Sequence, residues 1–204
     1  MPFNPETHHR RSIRLRDYDY SQNGAYFVTV CVNKKLELFG NIVDSGMVLN
    51  RAGKMTGEIW EKLPEKFDGV FLDEYCVMPN HFHGILVIDA NPGNKFKNMG
   101  ENMGENMVSP LQEMQSNVGV DPCINPIQGL PRFISWFKRI STNRYIHGVE
   151  NDGWEPFYQK LWQRNYYEHV IRNESELESI RRYISENPVD WKNDENNPSA
   201  HQNS

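Results

Sequence analysis

Two eight-residue runs, Val70–Val77 (VFLDEYCV) and His81–Ile88 (HFHGILVI), are separated only by Met78-Pro79-Asn80. Both are rich in β-branched and aromatic residues, and a proline–asparagine break between such runs marks a turn. So short a link cannot carry a parallel crossover, so the runs are predicted as antiparallel neighbours. Ala25–Val32 (AYFVTVCV) alternates in the same way and reads as a further strand. Leu36–Ile42 and Met47–Leu49 flank the turn residues Val43-Asp44-Ser45-Gly46 and suggest a small hairpin.

Helical spacing enters at Arg51–Lys66, where Met55, Ile59, Trp60 and Leu63 recur behind a potential Asn50 cap. A second stripe, Phe133, Trp136, Phe137, Ile140 and Tyr145, marks a helix over Leu130–Ile146. Leu161–Ile171 reads as a strand or an extended approach to the last helix. That helix is predicted to start at a Ser175 cap, with Glu178 completing a capping box, and to run to about Glu186 before Pro188. The order β–ββ–α–β–β–α–β–α is that of an α+β sandwich, a mostly antiparallel sheet with helices on one face.

Between residues 89 and 128 the pattern dissolves. Asn98–Met107 spells NMGENMGENM, a low-complexity repeat with no packing face. Forty such residues inside a compact domain read as an insertion. The expected organisation is a basic arm over 1–20, a domain over 21–191 carrying the 89–128 insertion, and a flexible tail over 192–204. No stretch of 18 apolar residues is present and the N-terminus lacks an apolar leader core. The three cysteines, Cys31, Cys76 and Cys123, are too far apart for a disulfide framework or an all-cysteine zinc site. A cytoplasmic protein with no membrane partner is expected.

The net charge of −5 conceals an uneven distribution. Residues 1–35 carry six Arg/Lys against three Asp/Glu, and residues 130–182 carry nine against seven, whereas residues 36–129 carry six against thirteen. Candidate phosphate contacts are therefore Arg10, Arg11, Arg14 and Arg16 on the arm and Arg132, Lys138, Arg139 and Arg144 on the second helix. A short basic run is also an ordinary solvated tail.

On a strand, residues i and i+2 share a face. His81 and His83 thus present two imidazoles side by side, with Phe82 turned to the opposite face, and such a pair can chelate one divalent ion. Any two histidines on a solvated strand would give the same string. Tyr183 and Asn187 stand four apart on the last helix and face one way. Their spacing equally suits an amphipathic packing residue and an end-of-helix residue.

Taken together, Pro79-Asn80-His81-Phe82-His83-Gly84, then Trp162-Gln163-Arg164 and His169-Val170-Ile171-Arg172, then Tyr183-Ile184-Ser185-Glu186-Asn187-Pro188, resemble the REP-associated tyrosine transposases of the HUH superfamily. The similarity extends from about Gly24 to Trp191, interrupted by the insertion. It implies an RRM-like, or ferredoxin-like, sheet. It implies His81, His83 and Asn187 as holders of a divalent ion, Mg²⁺ or Mn²⁺, and Tyr183 as the nucleophile. It also implies a DNA partner, single-stranded or hairpin, with Trp162 and Arg164 as further contacts and the protein a monomer or homodimer. Trp136, Tyr166 and Tyr167 are additional candidates for stacking on unpaired bases.

The implied reaction exchanges one phosphodiester for another through a 5′-phosphotyrosine. Two alternatives stand beside it: a non-catalytic DNA-hairpin-binding relative, and a metal phosphoesterase using water. A phosphoesterase built on two His-x-Thr motifs is excluded, because neither His8, His9, His147, His169 nor His201 supplies the second motif.

Overall fold

The computed structural model describes residues 22–89 and 129–200. Strand β1 is Gly24–Cys31, followed by a hairpin of β2, Gly40–Val43, and β3, Gly46–Leu49. Helix α1, Arg51–Glu61, and a one-turn helix α2, Leu63–Lys66, lead into β4, Val70–Val77, and β5, His81–Ile88. Helix α3, Leu130–Asn151, β6, Tyr167–Ile171, and α4, Glu174–Glu186, complete the domain. The main sheet has the order β4-β5-β1-β6 with every neighbouring pair antiparallel, which is the ferredoxin-like (RRM-like) arrangement.

The period-two patterning of the strands feeds two cores. Tyr26, Val28, Val30, Phe82 and Leu86 point to one face, where they meet Trp60 of α1 and Phe137 of α3. Ala25, Phe27, Ile85, Val87 and Ile171 point to the other, against Leu177 and Ile184 of α4. The α+β sandwich expected from the sequence is observed, with one correction. α1 and α3 share a face, but α4 covers the opposite one, because the alternate residues of β1 and β5 are apolar on both sides.

Gly84 makes the first core possible. A Cβ there would lie 2.8 Å from Trp60 Cζ2 and 2.9 Å from Phe82 Cε1. Its absence lets the indole close directly on the strand that carries the histidines. Fully burying rings such as Trp60, Phe82 and Phe137 stabilises the fold by roughly 1.5–3 kcal/mol each.

Asn50 caps α1 as expected, accepting from Gly53 N at 2.9 Å. At α4 the cap is Asn173 rather than Ser175. Its Oδ1 accepts from Glu176 N, while Glu176 Oε2 accepts from Arg172 N and Glu176 Oε1 bonds His169. The cap thus lies two residues earlier than predicted, because Asn173 reaches the third helical amide, and Glu176 ties back to Arg172 N, one residue before the cap, and to β6. The expected 192–204 tail is also corrected as far as residue 200. A 3-10 turn, Val189–Asn193, buries Trp191, and Asn196 and Asn197 are buried after it.

Candidate active site

The β1–β5 register sets Thr29 opposite His83 and Cys31 opposite His81, on the face that α4 covers. Both imidazoles are almost fully buried, and their Nε2 atoms stand 2.9 Å apart. Burial pulls both pKa values well down, so both rings are neutral near pH 7 and each has one nitrogen lone pair.

Asn80 decides which nitrogen of His81 that is. The amide nitrogen of this fully buried residue donates to Lys35 O at 3.1 Å and to Asn196 O at 2.8 Å. Its Oδ1 must then accept from His81 Nδ1, 2.9 Å away, which leaves Nε2 as the lone-pair nitrogen. His83 Nδ1 lies 2.8 Å from Thr29 Oγ1, a hydroxyl able to donate or accept. With Thr29 accepting, His83 Nε2 becomes a second free lone pair aimed at the first. Two lone pairs 2.9 Å apart repel unless a cation lies between them.

Two oxygens complete the cluster. Asn187, at the C-terminus of α4, is buried, and among the described residues its Oδ1 has no hydrogen-bond partner. Its Nδ2 donates to Asp194 Oδ2 at 3.3 Å. Asp194 Oδ2 stands 3.8 Å from His81 Nε2, and ligand atoms of His81, His83 and Asp194 all lie within 4.8 Å of one another. Two neutral imidazoles, an orphaned buried amide oxygen and a carboxylate fit a divalent ion. Asp194 was not singled out from the sequence.

Tyr183 completes the constellation. Its Oη lies 3.4 Å from His83 Nε2, and its ring meets those of His83 and Phe27 edge-on. The side chain remains 46% exposed, so a polymer can reach it. Burial of the hydroxyl, and then the carboxylates of Asp194 and Glu195, push its pKa up to about 12. A cation on Asp194 would remove one of those opposing charges.

The other sequence candidates are dispersed. Arg10, Arg11, Arg14 and Arg16 lie outside the described residues. Arg132, Arg139, Arg144 and Arg164 are exposed. Lys138 directs its ammonium to the carbonyls of Gln163, Arg164 and Asn165 at 2.5–3.4 Å, holding the loop before β6. Trp162 is 4% exposed and its Nε1–H donates to Ser141 Oγ, so it is a core residue with no free face for a base. Among the described residues no helix is long and apolar enough to cross a membrane.

No protein-family model matches the chain. An uncharacterised protein of Haemophilus influenzae is 36% identical over 196 residues, covering 95% of this chain and 96% of that one. A solved REP-associated tyrosine transposase bound to a REP hairpin overlays 87% of this chain and 73% of its own, with TM-score 0.46 and 17% identity. A protein of Deinococcus radiodurans, provisionally assigned as a transposase, overlays 84% of this chain and 95% of its own, with TM-score 0.41 and 15% identity.

Proposed function

We propose that this chain, which belongs to one family with the Haemophilus influenzae protein, is a metal-dependent tyrosine transesterase of the HUH kind. On this reading it cleaves and rejoins single-stranded DNA beside a hairpin, as a transposase does. What supports this is one juxtaposition: an exposed phenol 3.4 Å from a buried histidine pair that also gathers an orphaned amide oxygen and a carboxylate. The residues come from three separate stretches of chain, those that carry the transposase resemblance and the Asp194 segment.

His81, His83, Asn187 and Asp194 would hold a divalent ion, whose chemistry is to polarise the scissile phosphodiester and neutralise charge on the departing oxygen. Tyr183 Oη attacks phosphorus, forming a phosphotyrosine bond to the 5′ side as the P–O3′ bond breaks. The phenolic proton passes to solvent, and the departing 3′ oxygen takes one proton from solvent to leave as a hydroxyl. Because one phosphodiester replaces another, a different 3′-hydroxyl can reverse the step without ATP. Asn80 and Thr29 keep the imidazole lone pairs aimed inward, and Phe27 supports the Tyr183 ring from the sheet.

The test is covalent trapping. The full chain is mixed with hairpin-bearing single-stranded oligonucleotides from the flanks of its own gene, with Mn²⁺ or Mg²⁺, and run on a denaturing gel. The expected result is a metal-dependent protein–DNA adduct, absent from Tyr183→Phe and His81→Ala. Cleavage that persists in Tyr183→Phe without an adduct would overturn the reading in favour of water as nucleophile. Binding with neither cleavage nor adduct would overturn it in favour of a non-catalytic DNA-binding protein.

A further inference from the structure

Behind the sheet, on the face opposite Tyr183, α2 and α3 enclose a hollow of about 430 Å³. Its floor is aromatic: Phe67 follows α2 and meets Trp136 of α3 edge-on at 5.8 Å. Lys66, Arg132, Arg139 and the hydroxyl-bearing Ser135 surround that floor, and all four are exposed. Arg132 holds its guanidinium carbon 5.4 Å from the centre of the Phe67 ring. Among the described residues that line the hollow none is acidic, and the side chains of Lys66, Arg132 and Arg139 have no carboxylate within ion-pair distance.

The placement of these cations narrows what they can hold. Arg132, Ser135, Trp136 and Arg139 follow the i, i+3, i+4, i+7 spacing of one helix face. Beyond Arg139 the same face continues as Asn143, Ile146 and Glu150, with no further lysine or arginine. Lys138 and Arg144 lie to either side, each about a third of a turn away. A nucleic-acid backbone is held by positive charge repeated along a groove, whereas here the charge rings one apolar hollow and then stops. Guanidinium groups pair with carboxylates in a planar, two-bonded fork, and arginine clusters are a recurring reader of acidic peptide motifs. We propose that this hollow docks an acidic segment of a partner protein, a short peptide in which carboxylates flank one aromatic side chain. The aromatic group would enter between Phe67 and Trp136, and the carboxylates would pair with Lys66, Arg132 and Arg139.

The probe is a fluorescein-labelled hexapeptide of aspartates around one phenylalanine, titrated against the full chain and followed by fluorescence anisotropy. Arg139→Ala should weaken binding about tenfold or more, the effect of losing one charge-assisted hydrogen bond, with the melting midpoint unmoved because the side chain is exposed. Arg139→Glu should abolish binding. A peptide with alanine in place of the phenylalanine should also bind about tenfold or more weakly, having lost its buried ring. Absence of saturable binding, or equal affinity for the alanine peptide, would overturn the proposal. Labelled oligo-dT, titrated in parallel, separates the other class of polyanion: oligo-dT affinity lost in Arg139→Ala while peptide affinity is unchanged would overturn the proposal in favour of a nucleic-acid backbone.

Discussion

Arg181 lies flat against Asp73, with Nε 2.8 Å from Oδ1 and Nη2 2.6 Å from Oδ2. Asp73 sits where the β4–β5 register shifts between Leu72 and Tyr75, and that irregularity coincides with its reach across to α4. Arg181 is two residues before Tyr183, so the paired fork fixes the helix that carries the phenol.

This pair makes a pH prediction. Burial alone would raise the Asp73 carboxyl, but the Arg181 and Glu74 hydrogen bonds outweigh it and hold the pKa below its ordinary value. A carboxylate with a lowered folded pKa stabilises the fold above its unfolded value near 4, and that contribution is lost as pH falls through the folded value. Arg181→Met should therefore destabilise by about 1 kcal/mol at neutral pH, given a partly exposed pair. The difference from wild type should shrink below pH ~4. Urea melts at pH 7 and pH 3 measure it, and an equal difference at both would show that lost packing, not charge, is responsible.

Thr29 offers a sharper test of the histidine geometry. Its hydroxyl must accept from His83 Nδ1 for Nε2 to face a cation. Thr29→Val keeps the shape and removes the acceptor. Loss of a partner that orients a metal-bound histidine typically weakens metal affinity 10- to 100-fold. Isothermal titration with Mn²⁺ should show that loss, while metal-free stability falls by the about 1–3 kcal/mol of an unpaired buried ring nitrogen.

The histidine pair was legible because strand periodicity is strict: given HFH on a strand, the ring between must face away, and Phe82 does. Tyr183 and Asn187 were legible as a spacing, and the structure adds the orphaned oxygen that no spacing reveals. Asp194 carried no local signal. It lies in a polar, aperiodic stretch and reaches His81 only because the Val189–Asn193 turn and the hydrogen bonds of Asn80 and Asn187 fold that stretch back. Trp162 misled for the opposite reason. The resemblance implied a DNA contact there, yet Ser141, far off in sequence, supplies the acceptor that lets the indole bury.

Gly84 predicts a packing limit behind the site. Gly84→Ala would drive a methyl into Trp60 and Phe82, neither of which has an exposed side to retreat to. Overpacking of this kind costs about 1–3 kcal/mol. A thermal melt should show a midpoint lower by several degrees, at roughly 2–4 °C per kcal/mol for a chain of this length. An unchanged midpoint would mean that α1 can move off the sheet.

Asn187 should separate stability from metal binding. A buried polar atom with no partner costs about 1–3 kcal/mol of desolvation, and Asn187 Oδ1 is such an atom. Asn187→Leu removes it with the same branched outline, at the loss of one long hydrogen bond to Asp194. The metal-free variant should therefore melt at or above the wild-type midpoint. Mn²⁺ should then distinguish the two proteins: a ligand at 100 times its Kd stabilises by about 2.7 kcal/mol, so wild type should rise clearly and the variant little. Were Asn187 only a helix-end residue, the substitution would lower the metal-free midpoint and leave the metal-induced rise intact. Differential scanning fluorimetry with and without Mn²⁺, with an EDTA reversal, reads both quantities on the same samples.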